Sequence, residues 1–215
     1  MTGAICSEQS RKIGLQLISA SEKGDVETVK SLLKKDVYIH TQDKDGKCAL
    51  VAAAYNNQLE IVDLLIAAGA DVNMKDNTLQ SAYLIATSEV PKSEKYTELL
   101  MRTLEAGADV HSTDSYNGTG LIRAADRGYF EIVEELLKTD IRINHVNKIG
   151  WTALLEAIIL GDGGERHTEV VRMLVDAGAD VNLPDKDGLT PLAHAKSKNF
   201  TDIIEIFKKA GAELN

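Results

Sequence analysis

One residue pattern recurs along this chain at nearly constant spacing and constrains its fold more than any other feature. Each copy begins with an Asp or Asn that opens a short polar turn before a helix-like segment. The five positions are Asp43, Asp76, Asp114, Asn147 and Asp185, which lie 33, 38, 33 and 38 residues apart. A period of this length predicts an array of helix–turn–helix copies in which each copy packs only on its neighbours.

The clearest copy is the segment 168–195, which reads TEVVRMLVDAGADVNLPDKDGLTPLAHA. Its first valines and leucine fall on one face of a helix. Gly178 follows them, where a residue with positive φ can end a helix without steric cost. Thr190 and Pro191 then supply a capping oxygen and a preferred first position for the next helix. The segment therefore predicts a helix, a turn and a second helix.

The chain resembles the ankyrin-repeat family, whose unit reads roughly D-x-x-G-x-T-P-L-H-x-A-A and ends G-A-D-V-N. The matching segments are DKDGKCALVAAA at 43–54, DKDGLTPLAHAK at 185–196, GADVN at 69–73 and 178–182, and GADVH at 107–111. The resemblance runs from about Ile13 to Asn215, and in style the chain is similar to stand-alone ankyrin proteins of bacteria. It implies an all-α solenoid of about six helix–turn–helix repeats joined by short β-hairpin loops.

The predicted organisation is an N-terminal tail at residues 1–9 and a single ankyrin-repeat domain at residues 10–215. Its repeats span residues 10–42, 43–75, 76–113, 114–146, 147–184 and 185–215. The first and last copies have one neighbour each, so we expect them to be capping repeats with a polar outer face. Small residues in the first helices should let neighbouring helices approach closely; they are Ala53, Ala54, Ala86, Ala124, Ala125, Ala157 and Ala195.

Several positions depart from the family pattern. Asp36 and Asp140 replace the glycine that ends the second helix, so we expect those two joints to be less stable, because Asp tolerates left-handed geometry less well than Gly. Asn117 and Leu79 replace the glycine of the turn. Asn enters the left-handed region readily, but Leu does not, so the geometry of the turn at Leu79 is in doubt.

The two intervals of 38 residues carry insertions at the same point of their repeats, namely 89–96 and 161–167. We expect both to project from one edge, on either side of the fourth repeat. Surface loops accept insertions well, which favours solvent-exposed connections without a further role.

Composition excludes several classes of function. The net charge of −9 repels phosphate backbones and argues against nucleic-acid binding. Cys6 and Cys48 do not form a disulfide framework. No stretch approaches the length of a membrane span, and the first residues lack the apolar core of a signal peptide. We therefore expect a monomeric cytoplasmic protein that contacts no membrane, or a secreted or periplasmic one if a signal segment has been removed.

No catalytic or metal-binding pattern is visible in the sequence. The five histidines never occur at metal-ligand spacing, and His40 and His111 align with the Asn that follows the second helix in other repeats. The run Gly161-Asp162-Gly163-Gly164 lacks the Lys and Ser or Thr of a phosphate-binding loop. The sequence thus predicts a protein that is not an enzyme and needs no cofactor.

Partners of the ankyrin family usually bind the concave face, which is formed by turn tips and the exposed side of the first helices. By register, that face holds large or charged side chains that suit binding hot spots. The predicted partner-binding residues are Tyr55, Tyr116, Arg123, Arg127, Ile149, Trp151 and Glu156. Arg123 and Arg127 should project together as a positive patch beside an apolar one. Trp151, the single tryptophan, either binds the partner or folds over the neighbouring turn and seals the stack.

The leading hypothesis is therefore a non-enzymatic module that binds a protein in its concave groove. A second hypothesis is a regulatory or accessory protein that contacts its target through the insertions 89–96 and 161–167. A third is an enzyme or a small-ligand binder with a site between the two insertions.

Overall fold

The computed structural model of the chain describes residues 8–88 and 95–212. Within these residues it contains twelve helices and no strand, as the predicted all-α class requires. The helices are α1 (Glu8–Lys23), α2 (Val26–Leu33), α3 (Ala49–Tyr55), α4 (Leu59–Ala67), α5 (Ala82–Ser88), α6 (Lys95–Glu105), α7 (Gly120–Asp126), α8 (Phe130–Leu137), α9 (Ala153–Ile159), α10 (Glu165–Asp176), α11 (Pro191–Ser197) and α12 (Thr201–Lys209).

The helices belong to two compact units, Met1–Asp109 and Val110–Asn215. In the first unit, α3 packs between α1 and α5, while α4 packs against α2 and α6. In the second unit, α9 packs between α7 and α11, and α10 packs between α8 and α12. Each unit therefore has one layer of first helices and one layer of second helices. The assignment of residues 10–215 to a single domain remains a prediction.

The predicted alanine positions lie in the core between the helix layers. All seven have a relative exposure of 0 %; they are Ala53, Ala54, Ala86, Ala124, Ala125, Ala157 and Ala195. A methyl group at these positions lets neighbouring helices pack without a void. The expectation that close helix approach selects small residues is confirmed.

Each turn between repeats is built by the side chain of its opening Asp or Asn. In the turn of the fourth repeat, Asp114 Oδ1 accepts the backbone N–H groups of Tyr116 at 2.8 Å and Gly118 at 2.9 Å. The N–H of Asp114 also donates to the carbonyl of Gly118 at 3.0 Å. Equivalent bonds form in the other four turns that open with Asp43, Asp76, Asn147 and Asp185. A short acceptor at this position thus specifies the turn.

The hydroxyl residues that follow four of the turns start the next helices as predicted. The side chains of Thr119, Thr152 and Thr190 accept the N–H three residues ahead, at 3.2 to 3.4 Å. Ser81 accepts the N–H of Leu84 at 3.3 Å. Cys48 occupies the equivalent position in the second repeat and makes no side-chain cap bond. The first helices of the second to sixth repeats therefore follow the N-cap rule, except in the second repeat, where sulfur replaces oxygen.

The expected weakness at Asp36 and Asp140 is wrong in its premise. Neither residue is among the described non-glycine residues with positive φ, so no left-handed strain arises there. The second helix of the fourth repeat ends instead with Lys138 in the right-handed region, at φ −78°. The hydroxyl of Thr139 then donates to the carbonyl of Leu136 at 2.6 Å and satisfies one of the last carbonyl groups.

Leu79 does adopt the left-handed conformation, with φ of 63°. Its turn nevertheless keeps the common bonds, because the N–H of Leu79 donates to the carbonyl of Asp76 at 3.0 Å. Asn117 takes the same conformation at φ 60°, at lower cost for an Asn side chain. The turn bonds therefore hold a leucine in backbone geometry that it disfavours.

We expect Leu79→Gly to raise the free energy of unfolding by about 1 kcal/mol, because a left-handed non-glycine residue costs roughly 1–2 kcal/mol and glycine entropy offsets part of that gain. Urea denaturation followed by circular dichroism measures the change. Leu189→Gly is the matched control, since the two leucines are 45 % and 47 % exposed and Leu189 does not have positive φ. An equal or lower stability for Leu79→Gly would contradict the strain.

Candidate protein-binding surface

The predicted binding residues are divided between the two units. Tyr55 lies in the first unit, and the other six lie in the second unit, in its fourth and fifth repeats. The turns of these repeats are adjacent, since the N–H of Lys148 donates to the carbonyl of Tyr116 at 2.9 Å. The Lys186 ammonium in turn donates to the carbonyl of Lys148 and joins the sixth repeat to the fifth. The second unit therefore presents three neighbouring turns.

Apolar side chains stand exposed on each of these three turns. Tyr116 is 66 % exposed, Ile149 is 44 % exposed and Leu189 is 47 % exposed. We call these three the tip residues. Trp151, two residues after Ile149, is half-buried, and its N–H donates to Asn147 Oδ1 at 3.0 Å. Of the predicted apolar patch, Tyr116 and Ile149 are exposed and Trp151 is half-buried, while Leu189 adds an exposed side chain on the next turn; the role of the patch in binding stays a prediction.

The predicted positive patch is largely neutralised by carboxylates. Arg123 Nη1 lies 2.7 Å from Asp114 Oδ2, with side-chain exposures of 14 % and 11 %. Arg127 is more exposed and lies against Asp126, with 3.1 Å between Nε and Oδ2. Arg123 thus reaches back to the turn that precedes its own helix. Its role in partner binding stays a prediction.

Glu156 is buried in the first helix of the fifth repeat, with a relative exposure of 5 %. Its Oε1 accepts a hydrogen bond from Asn147 Nδ2 at 2.7 Å. Burial raises the pKa of Glu156 to about 7; the charges of Asp126 and Asp114 add to the rise, and the Asn147 bond opposes it. Glu156 therefore titrates near neutral pH and does not stand exposed on the surface as its register suggested.

Tyr55 lies in the first unit, on the wall of a groove of about 430 Å³ that is also lined by Lys47, Asn56 and Thr78. Its hydroxyl donates to Asp76 Oδ2 at 2.8 Å. Burial raises the pKa of Asp76, but bonds from Thr78, Gln80 and Tyr55 outweigh burial and leave that pKa below its usual value. Tyr55 thus links its own helix to the turn of the next repeat.

The insertion at 161–167 does not simply project into solvent. His167 Nε2 lies 3.0 Å from the carbonyl of Asp126, and His167 Nδ1 lies 3.0 Å from Asp162 Oδ1. The guanidinium of Arg166 stacks 4.9 Å from the ring centre of Phe130. These contacts hold one side of the insertion against the fourth repeat, which corrects the expectation of a free loop.

The first insertion lies mostly outside the described residues. Positions 89–94 are not described, while Lys95 opens α6 and Tyr96, which follows it, is buried. The prediction that this insertion projects from the same edge as 161–167 therefore stays a prediction.

Sequence reasoning missed a pairing between each turn of the second unit and the residue nine positions later. Asp114 pairs with Arg123, Asn147 with Glu156, and Asp185 with His194, whose Nε2 lies 2.7 Å from Asp185 Oδ2. The sequence does contain a signal for these pairs. In the second unit, each Asp that opens a turn is followed nine positions later by a basic residue, whereas the Asn is followed by an acid. Comparing these nine-residue pairs across repeats would have identified them.

His40 is placed as its alignment predicted. Its Nε2 accepts the backbone N–H of Asp71 at 3.1 Å, in the next repeat. Asn73 and Asn144 make the equivalent contact with the N–H groups of Asp109 and Asp180, at 2.8 and 2.9 Å.

Among the described residues, no group of three or more His, Cys, Asp or Glu side chains is arranged to hold a metal ion. In the same described part of the chain, no helix is both long and apolar enough to cross a membrane.

A family model for ankyrin repeats matches the chain in three overlapping copies, at residues 17–114, 84–185 and 121–215. The chain therefore belongs to the ankyrin-repeat family. It is 39 % identical over 194 residues to the ankyrin repeat protein YahD of Escherichia coli (strain K12), covering 90 % of this chain and 94 % of that protein. It spans only about a third of several longer curated relatives.

Two solved structures show the same fold. An ankyrin repeat domain from Acinetobacter baumannii is 43 % identical with a TM-score of 0.87, covering 92 % of this chain and 98 % of that one. A chain from the complex of the Bd0816 predatory endopeptidase of Bdellovibrio bacteriovorus with the immunity protein Bd3460 is 28 % identical with a TM-score of 0.74, covering 90 % and 96 %. The family and the all-helical repeat fold are thus confirmed.

We expect Arg123→Met to lower the free energy of unfolding by about 2 kcal/mol, because breaking a largely buried ion pair leaves the Asp114 carboxylate without its cation. Chemical denaturation measures the loss. Lys208→Met is the matched control, since Lys208 pairs with Glu205 at 2.6 Å but the two side chains are 51 % and 58 % exposed; it should cost less than about 0.5 kcal/mol. Equal losses would show that Arg123 does not stabilise its turn.

Proposed function

We propose that this protein is a non-enzymatic module that binds a protein partner through the concave side of its repeats. The second unit supplies a principal part of that surface. The single observation that carries the proposal is the exposure of Tyr116, Ile149 and Leu189 on three consecutive turns. Apolar side chains grouped on adjacent turns of a protein with net charge −9 are typical of an interaction site and are unfavourable in contact with water.

The scaffold suits this role, because the turns that carry the tip residues are rigidly built. Ile149 lies between two hydrogen bonds of its turn, since its own N–H and that of Trp151 both donate to Asn147 Oδ1. A preorganised apolar residue loses little entropy on binding. Ankyrin repeats are generally protein-interaction modules, and a neighbour of similar fold belongs to a complex of two proteins.

The polar residues of the second unit support the non-enzymatic assignment. Arg123 and Glu156 were predicted to lie on the binding face, and each is hydrogen-bonded to its own turn; His194, at the equivalent position of the sixth repeat, is bonded to its turn in the same way. Such contacts use the side chains for structure, whereas acid–base chemistry requires a group aimed at a substrate. We propose on the same grounds that the protein acts without a cofactor.

The alternative in which the insertions contact the target is less well supported. One side of the insertion at 161–167 is occupied by contacts of His167 and Arg166 with the fourth repeat. Lys198 of the sixth repeat also donates to the carbonyl of Gly161 at 3.3 Å. The insertion therefore contributes to packing between repeats, which accounts for its sequence without a partner.

We expect Ile149→Ser and Tyr116→Ser to reduce recovery of the partner at least tenfold, because truncating a hot-spot side chain costs about 2 kcal/mol of binding. The measurement is quantitative mass spectrometry after capture from native extract on immobilised wild type and variants. Met101→Ser is the matched control, since Met101 is also 44 % exposed but lies on α6, away from the turns. Equal recovery on all four proteins would overturn the proposed surface.

Trp151→Ala distinguishes the two roles of the tryptophan. If Trp151 contacts the partner, as we propose, recovery falls while the melting temperature is kept, because the side chain is only half-buried. If it seals the stack, the free energy of unfolding falls by roughly 3 kcal/mol or more. Thermal denaturation and the capture experiment on the same preparations decide between them.

A further inference from the structure

The fifth repeat is the one described repeat of the second unit whose turn opens with Asn. Asp114 and Asp185 open the other two turns. Asp114 pairs with the guanidinium of Arg123, and Asp185 pairs with the imidazole of His194. In the fifth repeat the turn residue is Asn147, and its partner nine positions later is an acid, Glu156. The two residues suit each other, because an amide can donate to a carboxylate, whereas an aspartate in its place would repel an ionised Glu156.

An amide in this turn has an orientation, which a carboxylate does not. Asn147 Oδ1 must accept two backbone N–H groups, from Ile149 at 3.1 Å and from Trp151 at 3.0 Å. If the amide were flipped, its NH₂ group would face those two donors and both bonds would be lost. Glu156 Oε1 accepts from Asn147 Nδ2 at 2.7 Å and so selects the orientation that builds the turn.

We propose that Glu156 is a positioning residue that fixes the Asn147 amide and thereby couples the presentation of Ile149 and Trp151 to the protonation of a buried carboxyl group. Its consequence for binding rests on the proposed function, but the coupling itself does not. The ionised carboxylate is the stronger acceptor for Nδ2, since charge-assisted hydrogen bonds are the shorter and stronger ones. Protonation weakens that acceptor and loosens the turn.

The groups around Glu156 favour titration near neutral pH. From the fourth repeat, Asp126 and Asp114 disfavour its charge, and Arg123 offsets this little because it is paired with Asp114. From the sixth repeat, the equivalent position holds His194, which is paired with Asp185. His145 precedes the turn and bonds through Nε2 to the carbonyl of Asn117 at 2.8 Å. With the pKa of Glu156 near 7, both protonation states are populated in the physiological range.

The single tryptophan makes the coupling directly measurable without a partner. We expect the fluorescence of Trp151 in the full chain to change between pH 5.5 and 8.5 with one midpoint near pH 7, while far-ultraviolet circular dichroism stays constant. Below the midpoint Glu156 is protonated and the turn is looser; above it the carboxylate holds Asn147. Glu156→Gln keeps an acceptor oxygen but cannot ionise, so its fluorescence should be flat across the same range.

Histidines titrate in the same range and need their own controls. His194→Gln and His145→Gln should each keep the wild-type transition. Asn147→Asp should move the midpoint to higher pH, because a second carboxylate opposes ionisation of Glu156. The double variant Asn147→Asp with Glu156→Arg copies the Asp114–Arg123 pair, and it should restore a well-formed turn with no transition.

A flat wild-type profile, or a transition that survives Glu156→Gln, would overturn the coupling. Loss of the transition in either histidine variant would assign it to that histidine and would also overturn it. Once a partner is captured, its recovery on wild type should be greater at pH 8 than at pH 6, and this difference should vanish in Glu156→Gln. Because the fluorescence experiment uses no partner, failure to capture one would count against the proposed function and leave the coupling standing.

Discussion

The fold depends on one local interaction, which is the acceptance of two backbone N–H groups by the side-chain oxygen of an Asp or Asn. Five turns use it, with distances between 2.8 and 3.1 Å. The bonds fix where the chain reverses and therefore where the next helix begins. They also hold Leu79 in a left-handed conformation that its side chain disfavours. A short polar side chain thus sets the geometry on which the apolar packing builds.

The same side chains have a second capacity, which the second unit uses differently in each repeat. One oxygen builds the turn, and the remaining polar atom pairs with the residue nine positions later on the first helix. Asp114 takes a guanidinium, Asp185 takes an imidazole and Asn147 takes a carboxyl group. Positions that register assigned to partner contact are therefore shared between the surface and the turn. A substitution at these positions therefore changes the turn as well as the side chain at the surface.

Much of the fold could be predicted from the sequence, because its signals are local. The period located the repeats, the hydroxyl residues located helix starts, and the alanines located the close contacts between helices. Asp36 and Asp140 were misjudged, because the way a helix ends depends on bonds such as that of Thr139, which aligned positions do not reveal. The site was only partly predictable. Exposure at Tyr116 and Ile149 follows from their turn positions, whereas the burial of Glu156 depends on a partner nine residues away.

The contacts that join successive repeats have a bearing on how such a chain can evolve. His40, Asn73 and Asn144 each offer a side-chain acceptor, an imidazole nitrogen or an amide oxygen, to a backbone N–H of the following copy. Because a backbone N–H is independent of side-chain identity, this one contact can form again when such a copy meets a new neighbour. The Asn147–Glu156 pair lies within one copy and would be inherited with it. A rearranged fifth repeat would therefore keep its turn pair, but it would leave behind Asp126 and Asp114 of the fourth repeat, whose charges add to the raised pKa of Glu156.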